Sequence, residues 1–151
     1  MHWIKTSAPA PILTISIFNT YLKNLVYKVN GAAIEVHKAL GPGHLESVYH
    51  KCMEIELTLR GIEFKSEFII PVEYKDHILD ANFRCDFFIE DILVVEIKAV
   101  KEVLPIHEAI LINYINLLEA PKGLLINFNV TNIFYDGQKT YINEFFRGLP
   151  E

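Results

Sequence analysis

The segment that most constrains the fold of this chain runs from Arg84 to Lys98 and reads RCDFFIEDILVVEIK. Two runs of β-branched and aromatic residues flank a short acidic break, which is typical of two strands joined by a tight turn. Three charged residues, Asp86, Glu96 and Lys98, interrupt these apolar runs. Because a charge is costly in a buried strand, the three side chains indicate a use other than packing.

The spacing of these charges predicts that they converge. Side chains alternate between the two faces of a strand, so Glu96 and Lys98 share a face. A three-residue loop at positions 90–92 would place Asp86 opposite Glu96 in an antiparallel hairpin. Two carboxylates suit a hard cation such as Mg²⁺, and a nearby ammonium suits the orientation of a water or the stabilisation of a phosphorane-like transition state. The competing interpretation is a structural ion pair on a half-buried hairpin.

The apolar residues between these charges are predicted to belong to the core. Cys85, Phe87, Val95 and Ile97 alternate with the charged positions. We therefore expect all four to be buried on the opposite face of the sheet, packed against a helix.

The composition bounds the class of protein. At 151 residues with 51% hydrophobic residues, the chain suits one domain with one core and is too apolar for a disordered protein. No apolar run is long enough to cross a membrane. Cys52 and Cys85 lack the spacing of a metal site and suggest reduced thiols, so we expect a cytoplasmic protein. A net charge of −5 argues against nonspecific affinity for nucleic acid, so any such binding requires a local patch or a metal.

The helical patterns define the expected domain. We expect residues 1–20 to be an N-terminal extension that is poorly ordered or packed on the rest, and residues 21–151 to form a single domain. Helical spacing of apolar residues predicts helices over 21–40 and 44–60, separated by a Gly-Pro-Gly break at 41–43. A third helix is predicted over 105–119, with a proline at its first position.

The remaining patterns predict strands and turns. A strand is predicted over 64–74, followed by the strand pair around Asp86 and Glu96 and a buried strand over 124–130. An Asp136-Gly137 turn predicts a closing hairpin. The order indicates an α/β protein whose mixed sheet contains an antiparallel three-strand meander, a crossover helix and a further strand, with helices flanking the sheet.

The second predicted helix carries two further candidate site residues. Glu46 lies in its first turn, where the helix dipole stabilises a carboxylate. Tyr49 follows about one turn later on the same face. The alternatives are an ordinary acidic residue at a helix start for Glu46 and core packing for Tyr49.

Two motifs together resemble a known family. Gly43-His44-Leu45-Glu46-Ser47-Val48-Tyr49 resembles the pattern that names the GxxExxY protein family. Asp86 followed by Glu96-Ile97-Lys98 resembles the signature of the PD-(D/E)XK nuclease superfamily, to which that family is assigned. The Gly-Pro-Gly break, Arg84 and the segment 124–128 also look like the family, and the resemblance covers most of the chain.

The resemblance implies a restriction-endonuclease-like core and hydrolysis of the phosphodiester bonds of nucleic acid with Mg²⁺ or Mn²⁺. It implies Glu46, Asp86 and Glu96 as metal ligands. Lys98 would position the attacking water and complete the candidate catalytic set. Tyr49, Arg84 and His107 are candidates for contact with substrate. DNA or RNA as substrate, and any homo-oligomer, are not specified by these motifs.

One position departs from the family pattern. Relatives often carry a glutamine in the crossover helix near the position held here by Ile110. His107 and Asn113 are candidate replacements, although His107 also suits an ordinary helix start. The alternative to a nuclease is therefore a catalytically weak or inactive protein of the same fold that serves as a binding module or scaffold.

Overall fold

The structure, a computed structural model, describes residues 12–79 and 83–144. The helices within these residues are α1 (Ile12–Leu40), α2 (Glu46–Leu59), α3 (Pro105–Leu117) and α4 (Ile133–Asp136). The strands are β1 (Phe64–Ile69), β2 (Val72–Tyr74), β3 (His77–Leu79), β4 (Arg84–Ile89), β5 (Leu93–Lys98), β6 (Lys122–Asn127) and β7 (Gln138–Ile142). This mixture of helices and strands confirms the α/β class.

Five strands form a mixed sheet in the order β1-β4-β5-β6-β7. β1, β4 and β5 are antiparallel neighbours, which confirms the predicted meander. β6 pairs in parallel with β5, because α3 carries the chain back across the sheet between the two strands. β7 then pairs antiparallel with β6. The sheet is therefore the predicted one, with the predicted crossover helix.

The sheet separates two hydrophobic clusters. The cluster on one face joins α1 and α2 to the strands, and includes Leu25, Val29, Tyr49, Met53, Phe87, Val95, Ile97 and Phe128. The cluster on the other face lies under α3, and includes Ile70, Cys85, Phe88, Val94, Leu111, Tyr114 and Ile115. Both faces are covered, as is usual where a sheet contains parallel strands.

The alternation of side chains reverses in β1 and β4. Cys85 and Phe87 are both fully buried, but Phe87 packs in the α1–α2 cluster whereas Cys85 packs under α3. The two strands pair on either side of Glu67 and Asp86 but not at these two residues, and Glu67 has a positive φ of 49°. The irregularity turns each strand over, so the expectation that Cys85 shares a face with Phe87, Val95 and Ile97 is wrong, although all four are buried.

The helix boundaries differ in detail from the predicted ones. α1 begins at Ile12 rather than at residue 21, so part of the predicted extension is helical, while residues 1–11 lie outside the described residues. α2 spans Glu46–Leu59 rather than 44–60, and α3 ends at Leu117 rather than at 119. No helix in the described ranges is both long and apolar enough to cross a lipid bilayer.

The predicted strand over 64–74 is two strands. β1 ends before Pro71, which has no N–H to donate to a ladder. β2 and β3 form a separate two-stranded sheet, joined by Lys75 and Asp76, both with positive φ. His77 is the first residue of β3.

The predicted closing hairpin is also wrong. Residues 133–136 form the short helix α4. Asn132 caps its N-terminus, since the side-chain oxygen of Asn132 accepts a hydrogen bond from the Tyr135 N–H at 3.2 Å. Gly137 is needed for close packing, since a Cβ there would lie 2.7 Å from the carbonyl oxygen of Asn127. β7 consequently pairs with β6 instead of with the preceding segment.

Candidate active site

β4 and β5 separate at Asp86 and Glu96, and side chains replace the backbone ladder there. The register pairs Phe87 with Val95, as the predicted loop at 90–92 requires. The Asp86 N–H donates to Glu96 Oε1 at 3.2 Å. The Ile97 N–H donates to Asp86 Oδ2 at 2.7 Å. Each carboxylate is thus held by the neighbouring strand, and the two lie side by side.

The electrostatic environment of this pair favours a bound proton or a cation. Burial, first, and the charge and side-chain hydrogen bond of Asp86 together raise the pKa of Glu96 to about 9, against smaller lowering effects of the Asp86 N–H and Lys98. Glu96 is only 5% exposed. Two neighbouring carboxylates cannot both be ionised in a buried site without a compensating positive charge.

We expect this pKa shift to make the stability of the metal-free protein depend on pH. The folded state retains the Glu96 proton up to about pH 9, whereas the unfolded chain releases it near the ordinary value of 4.5. The free energy of unfolding should therefore fall as the pH rises between these values, by up to about 1.4 kcal/mol per pH unit from this group, and level off above the folded pKa.

Denaturant melts in a chelator at several pH values measure this dependence. Glu96→Gln should remove this contribution from the slope, and Glu73→Gln, which changes an exposed residue of β2, should preserve it. Equal slopes in all three proteins would contradict the raised pKa.

Glu46 is the first residue of α2. Partial burial raises its pKa, and the charge of Asp86 adds to the rise. Lys98 gives the largest opposing effect, followed by His50 and His107. The start of α2 therefore places Glu46 where the charges of Asp86 and Lys98 both act on it.

Lys98 is the last residue of β5, and its backbone is fixed from the neighbouring strand. The Phe128 N–H donates to the Lys98 carbonyl oxygen at 2.8 Å. The side chain of Asn127 accepts from the Val100 N–H at 3.1 Å and donates to the Val100 carbonyl at 2.9 Å. Lys98 itself is half-buried, and its backbone is anchored by these hydrogen bonds.

Tyr49 holds the loop that leads into α2. Its hydroxyl donates to the Gly41 carbonyl at 2.5 Å and accepts from the His44 N–H at 3.2 Å. Gly41 and Gly43 have positive φ values of 68° and 99°, which L-residues with side chains rarely adopt. The ring stacks on Phe128 at 4.5 Å between centroids and is fully buried. The Tyr49 ring has no exposed surface, and its hydroxyl fixes the backbone of the loop that precedes Glu46.

Tyr49→Phe should lower the free energy of unfolding by about 1–2 kcal/mol, because the Gly41 carbonyl and the His44 N–H lose a buried partner. The ring and its stacking on Phe128 are retained. Urea melts measure the change, with Tyr27→Phe, which alters an exposed tyrosine of α1, as control. Equal losses for both variants would contradict a role in holding the loop.

His50 was missed by the sequence analysis. Its Nε2 forms a 2.7 Å hydrogen bond with Ser66 Oγ, and its ring stacks on Phe87 at 4.4 Å. Its Nδ1 lies 3.7 Å from Asp86 Oδ1. The signal in the sequence is the spacing of four residues from Glu46, which places both on one face of a helix.

Tyr114 is a second neighbour that the motifs do not reveal. It is 9% exposed, and burial raises its pKa, with smaller effects from Glu96, Cys85 and Asp86. It lies within the predicted third helix, and no motif singles it out. Its approach to the carboxylates depends on how α3 crosses the sheet, which no local pattern specifies.

The remaining candidates lie at the margin of the site. Arg84 is exposed at the start of β4. His107 accepts the Leu104 N–H at Nδ1 (2.9 Å) and so caps α3, while remaining near enough to affect Glu46. Ile110 is half-buried and packs against the cluster under α3, so the family's polar position is apolar here.

The chemistry of the donor set fits a divalent cation. Carboxylate oxygens are the ligands that Mg²⁺ and Mn²⁺ prefer, and a cation between Asp86 and Glu96 would remove the repulsion that raises the pKa of Glu96. Residues 12–79 and 83–144 contain no group of three or more His, Cys, Asp or Glu side chains already arranged to hold a metal.

The comparisons with known proteins agree with this geometry. A family model described as the PD-(D/E)XK nuclease superfamily matches residues 23–139. Comparisons with curated proteins and with solved structures gave no significant match. The matched region includes the start of α2, the β4–β5 hairpin, the crossover helix and β6. The chain belongs to the PD-(D/E)XK nuclease superfamily.

Proposed function

We propose that this protein is a metal-dependent nuclease that hydrolyses phosphodiester bonds, with Glu46, Asp86 and Glu96 as ligands of Mg²⁺ or Mn²⁺. The superfamily implies a nucleic acid substrate, and DNA and RNA are both compatible with the site. The unpaired cysteines fit a reducing compartment, and we place the activity in the cytoplasm.

One observation carries the proposal. The carboxylates of Asp86 and Glu96 lie side by side at the point where two strands separate, and each accepts a hydrogen bond from a backbone N–H of the other strand. Such pairing is expensive without a cation, since burial and repulsion oppose ionisation. A structural hairpin would be more stable with apolar residues at both positions.

The other residues of the site have distinct roles in this proposal. Lys98 orients the attacking water and stabilises negative charge that develops on the phosphate. His50 keeps the Asp86 carboxylate in position from the α2 side. The imidazole ring of His50 can do so because it is itself held by the hydrogen bond to Ser66 and by stacking on Phe87. A bound divalent ion supplies polarisation of the phosphate and a lowered pKa of the attacking water.

The alternative is an inactive protein of this fold that binds a partner without cleaving it. Two observations favour it: the described residues hold no preformed metal-binding group, and Ile110 packs in the core instead of offering a polar contact. In this alternative the carboxylates serve only to join β4 and β5.

Calorimetric titration with Mg²⁺ and Mn²⁺ separates the two functions. We expect wild type to bind, and Asp86→Ala to lose more than about a hundredfold in affinity, since changes outside the first coordination shell alone cost 10–100-fold. Asp91→Ala, which removes a carboxylate that pairs with Lys65 on the surface, should bind as wild type does.

Cleavage assays complete the test. Linear, circular, single-stranded and structured DNA and RNA should be incubated with and without the metal. Metal-dependent cleavage that Asp86→Ala abolishes would support the nuclease. Metal binding without cleavage of any substrate, or no metal binding at all, would favour the inactive alternative.

A further inference from the structure

The imidazole ring of His50 is fixed in position by its neighbours. His50 follows Glu46 by one turn of α2, so both side chains share one face of the helix. The ring stacks on Phe87 at 4.4 Å with an interplanar angle of 15°, and Nε2 lies 2.7 Å from Ser66 Oγ. The side chain is only 12% exposed. His50 is therefore oriented before any ligand binds.

The other ring nitrogen, Nδ1, lies towards Asp86. It is 3.7 Å from Asp86 Oδ1, which is longer than the hydrogen-bond distance of about 2.7–3.2 Å between nitrogen and oxygen. Asp86 uses its other oxygen, Oδ2, to accept the Ile97 N–H. Nδ1 and Oδ1 therefore face each other without a direct hydrogen bond.

The surroundings of Nε2 favour a proton on that nitrogen. Glu54 Oε1 lies 3.8 Å from Nε2, and Ser66 Oγ can accept a hydrogen bond from it. A cation bound to Asp86 would oppose a proton on Nδ1, so the lone pair of Nδ1 would be directed to the space beside Oδ1. In metal-binding histidines, too, one nitrogen usually donates a hydrogen bond that orients the ring while the other binds the metal.

The separation of Nδ1 and Oδ1 suits two donors of the same cation. Nitrogen and oxygen ligands lie about 2.0–2.2 Å from a divalent metal, so two ligands of one ion are about 3–4 Å apart. The observed 3.7 Å falls within this range. Because residues 12–79 and 83–144 hold no preformed group of three such side chains, oxygens of water or substrate would complete the coordination.

We propose that His50 Nδ1 is a ligand of the cation bound by Asp86, so that the site prefers a divalent transition metal such as Mn²⁺ or Co²⁺ to Mg²⁺. Imidazole nitrogen binds transition metals well, whereas Mg²⁺ takes oxygen ligands. The inference rests on the proposed metal site and names its class of metal. In the alternative, His50 is only a structural neighbour of Asp86.

Calorimetric titration with Co²⁺ and Mg²⁺ tests this preference. We expect wild type to bind Co²⁺ more tightly than Mg²⁺. His50→Gln should lose at least about a hundredfold in Co²⁺ affinity, since partners outside the coordination shell already cost about 10–100-fold, and should change Mg²⁺ affinity far less. His77→Gln, which changes an exposed histidine of β3, should bind both ions as wild type does.

Ser66→Ala keeps the imidazole and removes the partner of Nε2. It should lower Co²⁺ affinity by about 10–100-fold, so it tests the proposal even if His50→Gln does not fold. Unchanged Co²⁺ affinity in both variants would contradict a metal ligand at this position.

Electron spin echo spectroscopy of the Mn²⁺-loaded protein gives a readout that does not depend on activity. A directly bound imidazole nitrogen modulates the echo, so wild type and His77→Gln should show this modulation and His50→Gln should not. Mn²⁺ binding without nitrogen modulation, or equal losses of Co²⁺ and Mg²⁺ affinity in His50→Gln, would overturn the inference and leave the proposed nuclease intact. Failure of wild type to bind Mg²⁺, Mn²⁺ or Co²⁺ would overturn both.

Discussion

Replacing Lys98 with alanine should lower the turnover number for phosphodiester cleavage by on the order of a hundredfold or more, while metal affinity stays nearly unchanged. The positive charge of Lys98 lowers the pKa of both Glu46 and Glu96, against the larger effect of burial. None of the ion pairs between Lys or Arg and a carboxylate found in the described residues includes Lys98. Its removal therefore affects charge in the transition state more than it affects folding.

The comparison with Glu46→Gln separates chemistry from metal binding. That change removes a ligand charge at the start of α2, so it should weaken metal affinity first and turnover as a consequence. Single-turnover assays at saturating metal, together with calorimetry, distinguish the two effects, and Lys38→Ala on the exposed side of α1 serves as the lysine control. If Lys98→Ala unfolds the protein and activity follows only the folded fraction, the lysine is a structural partner of the carboxylates.

Ile97→Ala should lower the free energy of unfolding by about 2–5 kcal/mol, as is usual when a fully buried aliphatic side chain is truncated. Ile97 has no exposed surface and packs in the cluster formed with α1 and α2. Its backbone N–H, which donates to Asp86 Oδ2, is retained in the variant. The loss therefore reports on packing behind the site and not on the hydrogen bond to the carboxylate.

Urea melts of wild type, Ile97→Ala and Ile55→Ala measure this effect. Ile55 is 60% exposed on α2, so its truncation should change stability little. A change close to zero for Ile97→Ala would mean that the apolar side of β5 is not part of the core.

The hairpin that carries the site was predictable from two signs that agree: charged residues inside apolar strands, and a three-residue loop that places Asp86 and Glu96 opposite each other. An acidic break of known length sets which residues of β4 and β5 stand opposite, and Phe87 does pair with Val95. The crossover to β6 was predictable because a buried apolar strand after a helix favours a parallel pairing. In both cases a short segment contains the whole signal.

The missed features depend on contacts between distant segments. Cys85 changes face because β1 and β4 turn over together at Glu67 and Asp86, and neither strand alone carries a sign of this. The sequence Asp136-Gly137 is typical of a hairpin turn, but glycine is needed at 137 because the carbonyl oxygen of Asn127 leaves no space for a Cβ atom. Propensity over a few residues cannot distinguish these cases.

The site residues divide in the same way. Asp86, Glu96 and Lys98 stand out in the sequence as charges in an apolar pattern, whereas Glu46 stands out through its place at a helix start and through the family motif. Tyr49 was correctly placed on the helix, but its buried hydroxyl and its loop partners appear only in three dimensions. His50 and Tyr114 look like ordinary helix residues until the sheet brings Asp86 and Glu96 beside them.

Hydrogen bonds from Asn127 and Phe128 fix the end of β5, so the two halves of the chain depend on each other. All four proposed catalytic residues precede residue 99, whereas Asn127 and Phe128, which hold Val100 and Lys98, come after the crossover helix. A fragment ending before α3 would contain every proposed catalytic group and lack the strand that aligns the last of them. Separately expressed halves would be inactive alone, and activity would return only when the two associate.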